Sequence, residues 1–327
     1  MHPELFTIPF TSLTVKSYGL MMVIGFLAAV WIIRRLSKNI TPDPQLITNA
    51  ALYSLVAGVL GARLFFVIHH FGQFKGNLLS IFAIWNGGLE LLGGVVLAIT
   101  VIILYLRYHK LPVREYLDIL AIGLLLALSF GRIGCFLNGC CFGKPSDLPW
   151  AISFPYGSEP YKSQIYSNTE RNRPEPYIKL PEDYFGYVEK EGFWYLELKP
   201  YQSLTQQQKE MVDKGPYRCL PVHPTQLYSS ANGAILFVLL FFFWKRAKKA
   251  QEKNIKKLFT NPGCTFGLMF VLYGITRFLI EFIRDDNPFE FDGLTISQNI
   301  AIAMVILGIA MMVVFDRLNT RRKSNAK

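Results

Sequence analysis

Seven stretches of this chain are so apolar that they dictate a bundle of helices in a lipid bilayer. They are Leu20–Ile33, Ile47–Ile68, Leu89–Leu106, Leu117–Phe130, Ala234–Trp244, Cys264–Ile283 and Ile300–Phe315. With their flanks, most approach the ~20 residues that cover ~30 Å of hydrocarbon. Composition alone would not decide the matter, because a soluble domain can also be 51% hydrophobic. The runs predict an all-α polytopic membrane protein of about seven transmembrane helices. Residues 1–143 carry helices one to four. Residues 144–222 form a small mixed extracytoplasmic head, and residues 223–327 carry helices five to seven and a cytoplasmic tail. No cleavable signal peptide is expected, since the first run is followed, not preceded, by its charge cluster.

Orientation follows from lysine and arginine. Arg34, Arg35 and Lys38 close the first run, Arg107, Lys110 and Arg114 the third, and the Lys245–Lys257 cluster the fifth. Arg317, Arg321, Arg322, Lys323 and Lys327 follow the last. The short loops at the opposite ends carry only Lys16, Lys75 and Arg284. An N-terminus outside and a C-terminus in the cytoplasm are expected. The net charge of +11 is then explained by topology and contact with anionic membrane lipids, and no nucleic acid is implied.

Three arginines lie inside the helices that these runs predict: Arg63, Arg132 and Arg277. An arginine in hydrocarbon is costly unless it is paired or faces a wet cavity, so each marks a candidate site. Arg132 lies in Ser129–Gly143, SFGRIGCFLNGCCFG, bracketed by Gly131 and Gly134 and followed by Cys135, Asn138, Cys140, Cys141 and Gly143. Tyr273, Arg277 and Glu281 are spaced by four and share one helix face. At ~1.5 Å per residue, Arg63 and Arg132 lie ~24 Å, Arg277 ~20 Å and Glu281 ~26 Å from the cytoplasmic ends of their runs. Tyr18 and Glu90 open their helices from the outside. The common depth predicts a cationic cavity open to the outer leaflet, suited to a phosphate headgroup that arginine can bind with two donors.

The head predicts strands at Ala151–Phe154 and Phe193–Leu198, and a helix near Leu204–Lys214 capped by Thr205. Leu78–Trp85 is too short to span and suits the interface. His69 and His70 read as surface residues. Two glycine pairs around Glu90 suggest close backbone approach or an unwound turn at the start of the third helix.

SFGRIGCFLNGCCFG, together with SYGL from Ser17, WNGGLELLGG from Trp85, HPTQLY from His223 and YGITRFLIEFIRDD from Tyr273, resembles the bacterial prolipoprotein diacylglyceryl transferases. The resemblance covers nearly all of the membrane part, and the head matches poorly. It implies transfer of the diacylglyceryl group of phosphatidylglycerol to the lipobox cysteine of a prolipoprotein signal peptide in the bacterial inner membrane, yielding a thioether and glycerol phosphate. It implies no metal and no cofactor. Arg132 matches the signature arginine, and Arg277 with Glu281 a second essential pair. Tyr18, Arg63, Gly143, His223, Gln226, Tyr228 and Tyr273 fall on family positions, and Asn138 lies within the signature stretch. Leu92 stands where the family has histidine, Cys135 where it has asparagine, and Cys140 where it has glutamate. Glu90 and His223 are the candidate replacements for the missing base.

Of the five cysteines, Cys264 reads as a core thiol. Cys219 beside Cys140 or Cys141 is the expected disulfide pair if one forms, and Cys219 with His223 also offers a ligand spacing. Two other functions fit the same residues. One is a relative that lipidates another acceptor. The other is a non-catalytic anionic-lipid binder or flippase, for which inverted internal repeats would be expected and none is visible in the sequence.

Overall fold

The structure is a computed structural model. It describes residues 4–7, 14–41, 43–74, 78–82, 88, 90–190, 193–253, 255, 257–291 and 293–324. Six helices are long and apolar enough to cross a membrane: α1 (Ser17–Ser37), α2 (Gln45–His69), α4 (Val113–Asn138), α7 (Thr225–Glu252), α8 (Cys264–Glu281) and α9 (Ile296–Ser324). Between α2 and α4 lies α3 (Leu91–Tyr108), whose apolar stretch is slightly shorter than the others. The seven expected helices are thus all present. The short helices of the head are α5 (Glu159–Ile165) and α6 (Gln206–Asp213). The described residues also form three two-stranded antiparallel sheets: β1 (Glu4–Thr7) with β2 (Thr14–Lys16), β3 (Phe185–Lys190) with β4 (Phe193–Leu198), and β5 (Phe289–Phe291) with β6 (Leu294–Thr295).

The chain divides into two compact units. The first takes Met1–Phe26, Leu124–Phe242 and Gly267–Val313. Its helices meet where glycine removes a side chain. A Cβ on Gly25 would stand 2.9 Å from the Ala127 carbonyl, and one on Gly233 3.2 Å from that of Leu125. Gly267 and Gly308 face each other in the same way, a Cβ on Gly308 falling 2.6 Å from the Gly267 carbonyl. Such contacts let backbones approach in a bilayer, where association depends on close packing. Ser129 and Ser230 tie α4 to α7 by hydroxyl-to-carbonyl bonds of 3.0 and 2.9 Å.

The head belongs to this first unit. Tyr161, Ile165, Phe154, Ile178, Cys219 and Val222 form its core with Phe142. Gln164 is fully buried and holds the returning chain by exchanging two bonds with Leu220, of 3.1 and 2.8 Å. The predicted strand at Phe193–Leu198 is β4, and its partner β3 was not foreseen. Thr205 caps α6 through a reciprocal pair with Gln208. Residues 151–154 do not form a strand. Only Ile152 makes a bridge, to Val222, because the chain there is consumed by a turn and by contact with the return segment.

The second unit takes Leu27–Gly123, Phe243–Phe266 and Val314–Lys327. Here α2 and α3 touch through glycine backbones: a Cβ on Gly61 would lie 2.5 Å from the Gly93 carbonyl, and one on Gly94 2.8 Å from that of Gly58. Asp118 is buried and caps the start of α8 by accepting the backbone N–H groups of Gly263 and Phe266 at 2.8 and 2.9 Å. Leu78–Phe82 is a 3-10 helix. The expectations for Trp85, Asn86, Gly87 and Leu89 lie outside the described residues.

Candidate active site

Arg132 sits near the end of α4 because two glycines clear room for α1 beside it. A Cβ on Gly131 would stand 3.3 Å from the Met22 sulfur, and one on Gly134 3.1 and 3.2 Å from Met21 and Tyr18. Tyr18 is thereby packed against Gly134, two residues after Arg132, with its side chain exposed. Arg132 is half-buried, and its one hydrogen bond among the described residues runs from Nη1 to the Cys141 sulfur at 3.6 Å. Tyr273, Cys141, Cys135 and Arg284 lie within electrostatic reach of its guanidinium. Most of its donor capacity is therefore unspent in a setting where a bare arginine is expensive.

The helix ends at Asn138, and the chain then reverses. Gly139 (φ 78°) and Cys141 (φ 60°) adopt left-handed conformations on either side of Cys140. A non-glycine residue rarely does so, and such strain gathers at functional sites. The turn is held by Gly139 and Cys140 N–H groups donating to the Cys135 carbonyl at 2.9 and 3.2 Å. From the opposite side, Thr225 Oγ1 donates to the Cys141 carbonyl at 2.6 Å, and Gln226 Nε2 to that of Cys140 at 2.7 Å. Gln226 is completely buried. Its role is thus to hold the backbone of the cysteine turn, and its Oε1 has no partner among the described residues. Asn138 is exposed and within hydrogen-bonding reach of Cys140.

Gly143 is the junction where three segments converge. Its N–H donates to the His223 carbonyl at 3.1 Å, and the Lys144 N–H donates to that of Ile283 at 2.9 Å. His223 N–H donates back to the Lys144 carbonyl at 3.0 Å. A Cβ at Gly143 would fall 2.6 Å from the His223 Cβ and 2.8 Å from the carbonyls of His223 and Ile283. His223 Nδ1 lies 3.4 Å from the Tyr228 hydroxyl, which also accepts from Trp150 Nε1 at 2.7 Å.

On α8, Arg277 Nη1 is paired with the buried Glu281, and Nη2 donates to Ser297 Oγ at 2.8 Å. Glu281 is saturated: Thr295 Oγ1 donates at 2.9 Å, Asn287 Nδ2 donates to the same oxygen, and Arg284 Nε lies 3.7 Å away. Arg284 is engaged bidentately by Asp286 at 2.8 and 2.5 Å. Burial opposes its charge, but Asp286 more than offsets this and holds the guanidinium above its ordinary range. The Cys141 thiol is shifted the other way. Hydrogen bonds with Cys135 and Cys140, aided by Arg284 and Arg132, lower its pKa.

Two sequence candidates belong to the second unit. Arg63 is buried, and its guanidinium donates to three backbone carbonyls: Ile81 at 2.8 Å, Ser80 at 2.8 Å and Gly88 at 3.0 Å. Phe66 and Phe74 lie against its charge at 5.6 and 5.3 Å. Glu90 is at the start of α3, its carboxylate 2.7 Å from His69 Nδ1 and 3.8 Å from His70 Nδ1. Leu92 is exposed.

A family model described as Prolipoprotein diacylglyceryl transferase matches residues 3–314. The chain belongs to this family. Curated relatives named phosphatidylglycerol–prolipoprotein diacylglyceryl transferase span nearly its full length. That of Rhodospirillum rubrum is 27% identical over 332 residues, covering 96% of this chain and 96% of that protein. That of Proteus mirabilis is 30% identical over 303 residues, covering 90% and 86%. That of Clostridium tetani is 27% identical over 310 residues, covering 94% and 96%. Membership and the apolar helices together make the chain a multi-pass membrane protein.

Among the residues of this diacylglyceryl transferase family member, Arg132, Tyr18, Tyr273, Arg277, Glu281, Asn138, Gly143, His223, Gln226 and Tyr228 all fall in the first unit, and Arg63 and Glu90 in the second. The sequence reading missed Arg284, Asn287, Thr295 and Ser297 around the Arg277–Glu281 pair. The run Arg284-Asp285-Asp286 at a helix end was the available signal. It also missed the His69–Glu90 pair. The cysteines correct the expected pairing. All five are free, Cys219 lies in the head core with its sulfur on the Leu220 carbonyl at 3.5 Å, and the thiol that joins Cys140 and Cys141 is Cys135.

Proposed function

We propose that this chain transfers the diacylglyceryl group of phosphatidylglycerol to the cysteine thiol of prolipoproteins, forming a thioether and releasing glycerol phosphate. The observation that carries the reading is the unspent guanidinium of Arg132 in a chain whose relatives bear that activity in their names. Arg132 receives the phosphodiester with two donors, which lysine cannot reproduce. Arg277 contributes the second charge, aimed by Glu281 and Ser297. As the acceptor sulfur attacks the diacylglyceryl carbon, the carbon–oxygen bond breaks and its electron pair leaves with the phosphate. Charge gathers on that oxygen in the transition state, where preorganised cations act most strongly.

The nucleophile belongs to the substrate peptide, so no cysteine of the enzyme attacks. The thiol proton leaves to water or to the departing phosphate, and His223 is the side chain of the first unit suited to assist. Tyr18 and Tyr273 lie near Arg132, Gln226 and Gly143 fix the turn that follows it, Asn138 borders that turn, and Tyr228 holds His223. Arg63 positions backbone carbonyls and is not a phosphate ligand. The lysine and arginine pattern puts the C-terminus in the cytoplasm and the head outside the inner membrane, where the lipobox cysteine emerges. The test is purified protein with phosphatidylglycerol and a lipobox peptide. The expected outcome is a peptide mass gain of one diacylglyceryl group with glycerol phosphate released in equal amount. Folded protein that binds the lipid and yields neither product would establish the non-catalytic alternative.

A further inference from the structure

The end of α4 gathers three thiols. The sulfurs of Cys135, Cys140 and Cys141 all lie within 4.8 Å of one another. The backbone enforces this. Cys140 N–H donates to the Cys135 carbonyl at 3.2 Å and Gly139 N–H to that of Phe136 at 3.2 Å, with Gly139 itself left-handed. That is the Schellman ending of a helix, which turns the chain back over its last turn. Cys141 is left-handed too, and Thr225 and Gln226 hold the carbonyls of both turn cysteines. Cys135 is buried, whereas Cys140 and Cys141 are partly exposed. The three thiols are not equivalent. Cys140 donates to the Cys135 carbonyl at 3.7 Å. Cys141 is hydrogen-bonded by Cys135 and Cys140 and faces Arg284 and Arg132, and its pKa is lowered. An accessible thiolate beside a second thiol is the arrangement that exchanges with outside disulfides.

We infer that Cys135 and Cys141 form a reversible disulfide by exchange with a disulfide-bearing oxidant, and that this bond releases Arg132 from Cys141 and tightens its hold on a lipid phosphate. This rests on the proposed function, which sets the turn on the outer side of the membrane, where disulfides persist. The Cys141 thiolate attacks one sulfur of the incoming disulfide, and the other sulfur leaves as a thiolate that solvent protonates. Cys135 then gives its proton to solvent and attacks the Cys141 sulfur of the mixed disulfide, and the second half of the oxidant leaves in the same way. Two protein thiols become one disulfide, and their two electrons end on the two released thiols. Cys140 is the poorer partner for Cys141, since a bond between adjacent cysteines strains the small ring it closes. In the reduced protein Cys141 presents a negative sulfur 3.6 Å from Arg132 Nη1, so an arriving phosphate competes with an anion already in place. The disulfide is uncharged and removes that competitor.

The test uses the full chain in detergent, equilibrated with reduced or oxidised glutathione and then freed of it. Mass mapping should find Cys135 joined to Cys141 in the oxidised sample only, both in the wild type and in Cys140→Ser. Affinity for phosphatidylglycerol in mixed micelles, measured without peptide, should be at least ~3-fold tighter in the oxidised sample, the scale of one partly exposed ion pair. Cys135→Ser should bind the lipid equally in both samples, and diacylglycerol, which lacks the phosphate, should bind the two forms of the wild type alike. No linked peptide, or a link between a different pair, would overturn the site. A Cys135–Cys141 link with unchanged or weaker lipid binding would overturn the release of Arg132. Either failure leaves the proposed transfer standing. Tighter binding in a protein that transfers nothing in either state would sustain the inference and overturn that function.

Discussion

Arg63 and Arg132 are the same residue type, at the same distance from the cytoplasmic end of an apolar run, and they are used in opposite ways. Arg63 sits in a unit where three backbone carbonyls take up its guanidinium and two phenylalanines cover it. Arg132 sits in a unit where glycines open space around it and, among the described residues, a single sulfur accepts from it. The cost of holding an arginine in a membrane is met by internal bonds in the first case. In the second it is left for a ligand to meet. An intramembrane arginine is therefore a marker of a site only when its donors are unspent.

The largest expected effect is on turnover. Arg132→Ala should lower transfer by at least ~100-fold, the scale on which transition-state charge stabilisation is lost, with the melting temperature little changed. Measuring both on one preparation checks it. Next, Arg63→Met should destabilise by ~3 kcal/mol or more, because each buried carbonyl stripped of its donor costs ~1–3 kcal/mol. Thermal unfolding in detergent should show the loss, while the surviving folded protein turns over within a few-fold of wild type. Gly143→Ala probes the junction that fixes the turn after Arg132. With no room for its Cβ, it should lower both yield and melting temperature by an amount typical of overpacking, ~1–3 kcal/mol. The smallest effect concerns thiol chemistry. Burial pushes the Cys219 thiol up to about 11, so at pH 8 it should stay protonated and resist iodoacetamide, while Cys141, whose pKa is lowered, is alkylated first. Mass mapping of labelled peptides reads the order.

The helices were legible because hydrophobic length has one meaning in a bilayer, and Phe193–Leu198 and the Thr205 cap were legible because their signals are local. The partner strand Phe185–Lys190 was not, since strand pairing is a long-range choice. Residues 151–154 look like a strand by composition, yet the return segment at Val222 takes only one of them into a bridge. At the site, the Arg277–Glu281 pair could be read from its four-residue spacing. The bonds from Asn287, Thr295 and Ser297 could not, because they come from the connection to the next helix and its first turn. Arg63 shows the limit most clearly. Its depth was visible in the sequence, but the carbonyls of Ser80, Ile81 and Gly88 lie 17 to 25 residues away and nothing local announces them.

The contrast between the two arginines is most directly tested by making the same conservative change at each. Transfer rate and melting temperature would be measured side by side for Arg132→Lys and Arg63→Lys. The account predicts that Arg132→Lys loses transfer and keeps its melting temperature, whereas Arg63→Lys melts lower and keeps most of its transfer. Near-normal transfer in Arg132→Lys, or lost transfer at an unchanged melting temperature in Arg63→Lys, would contradict it.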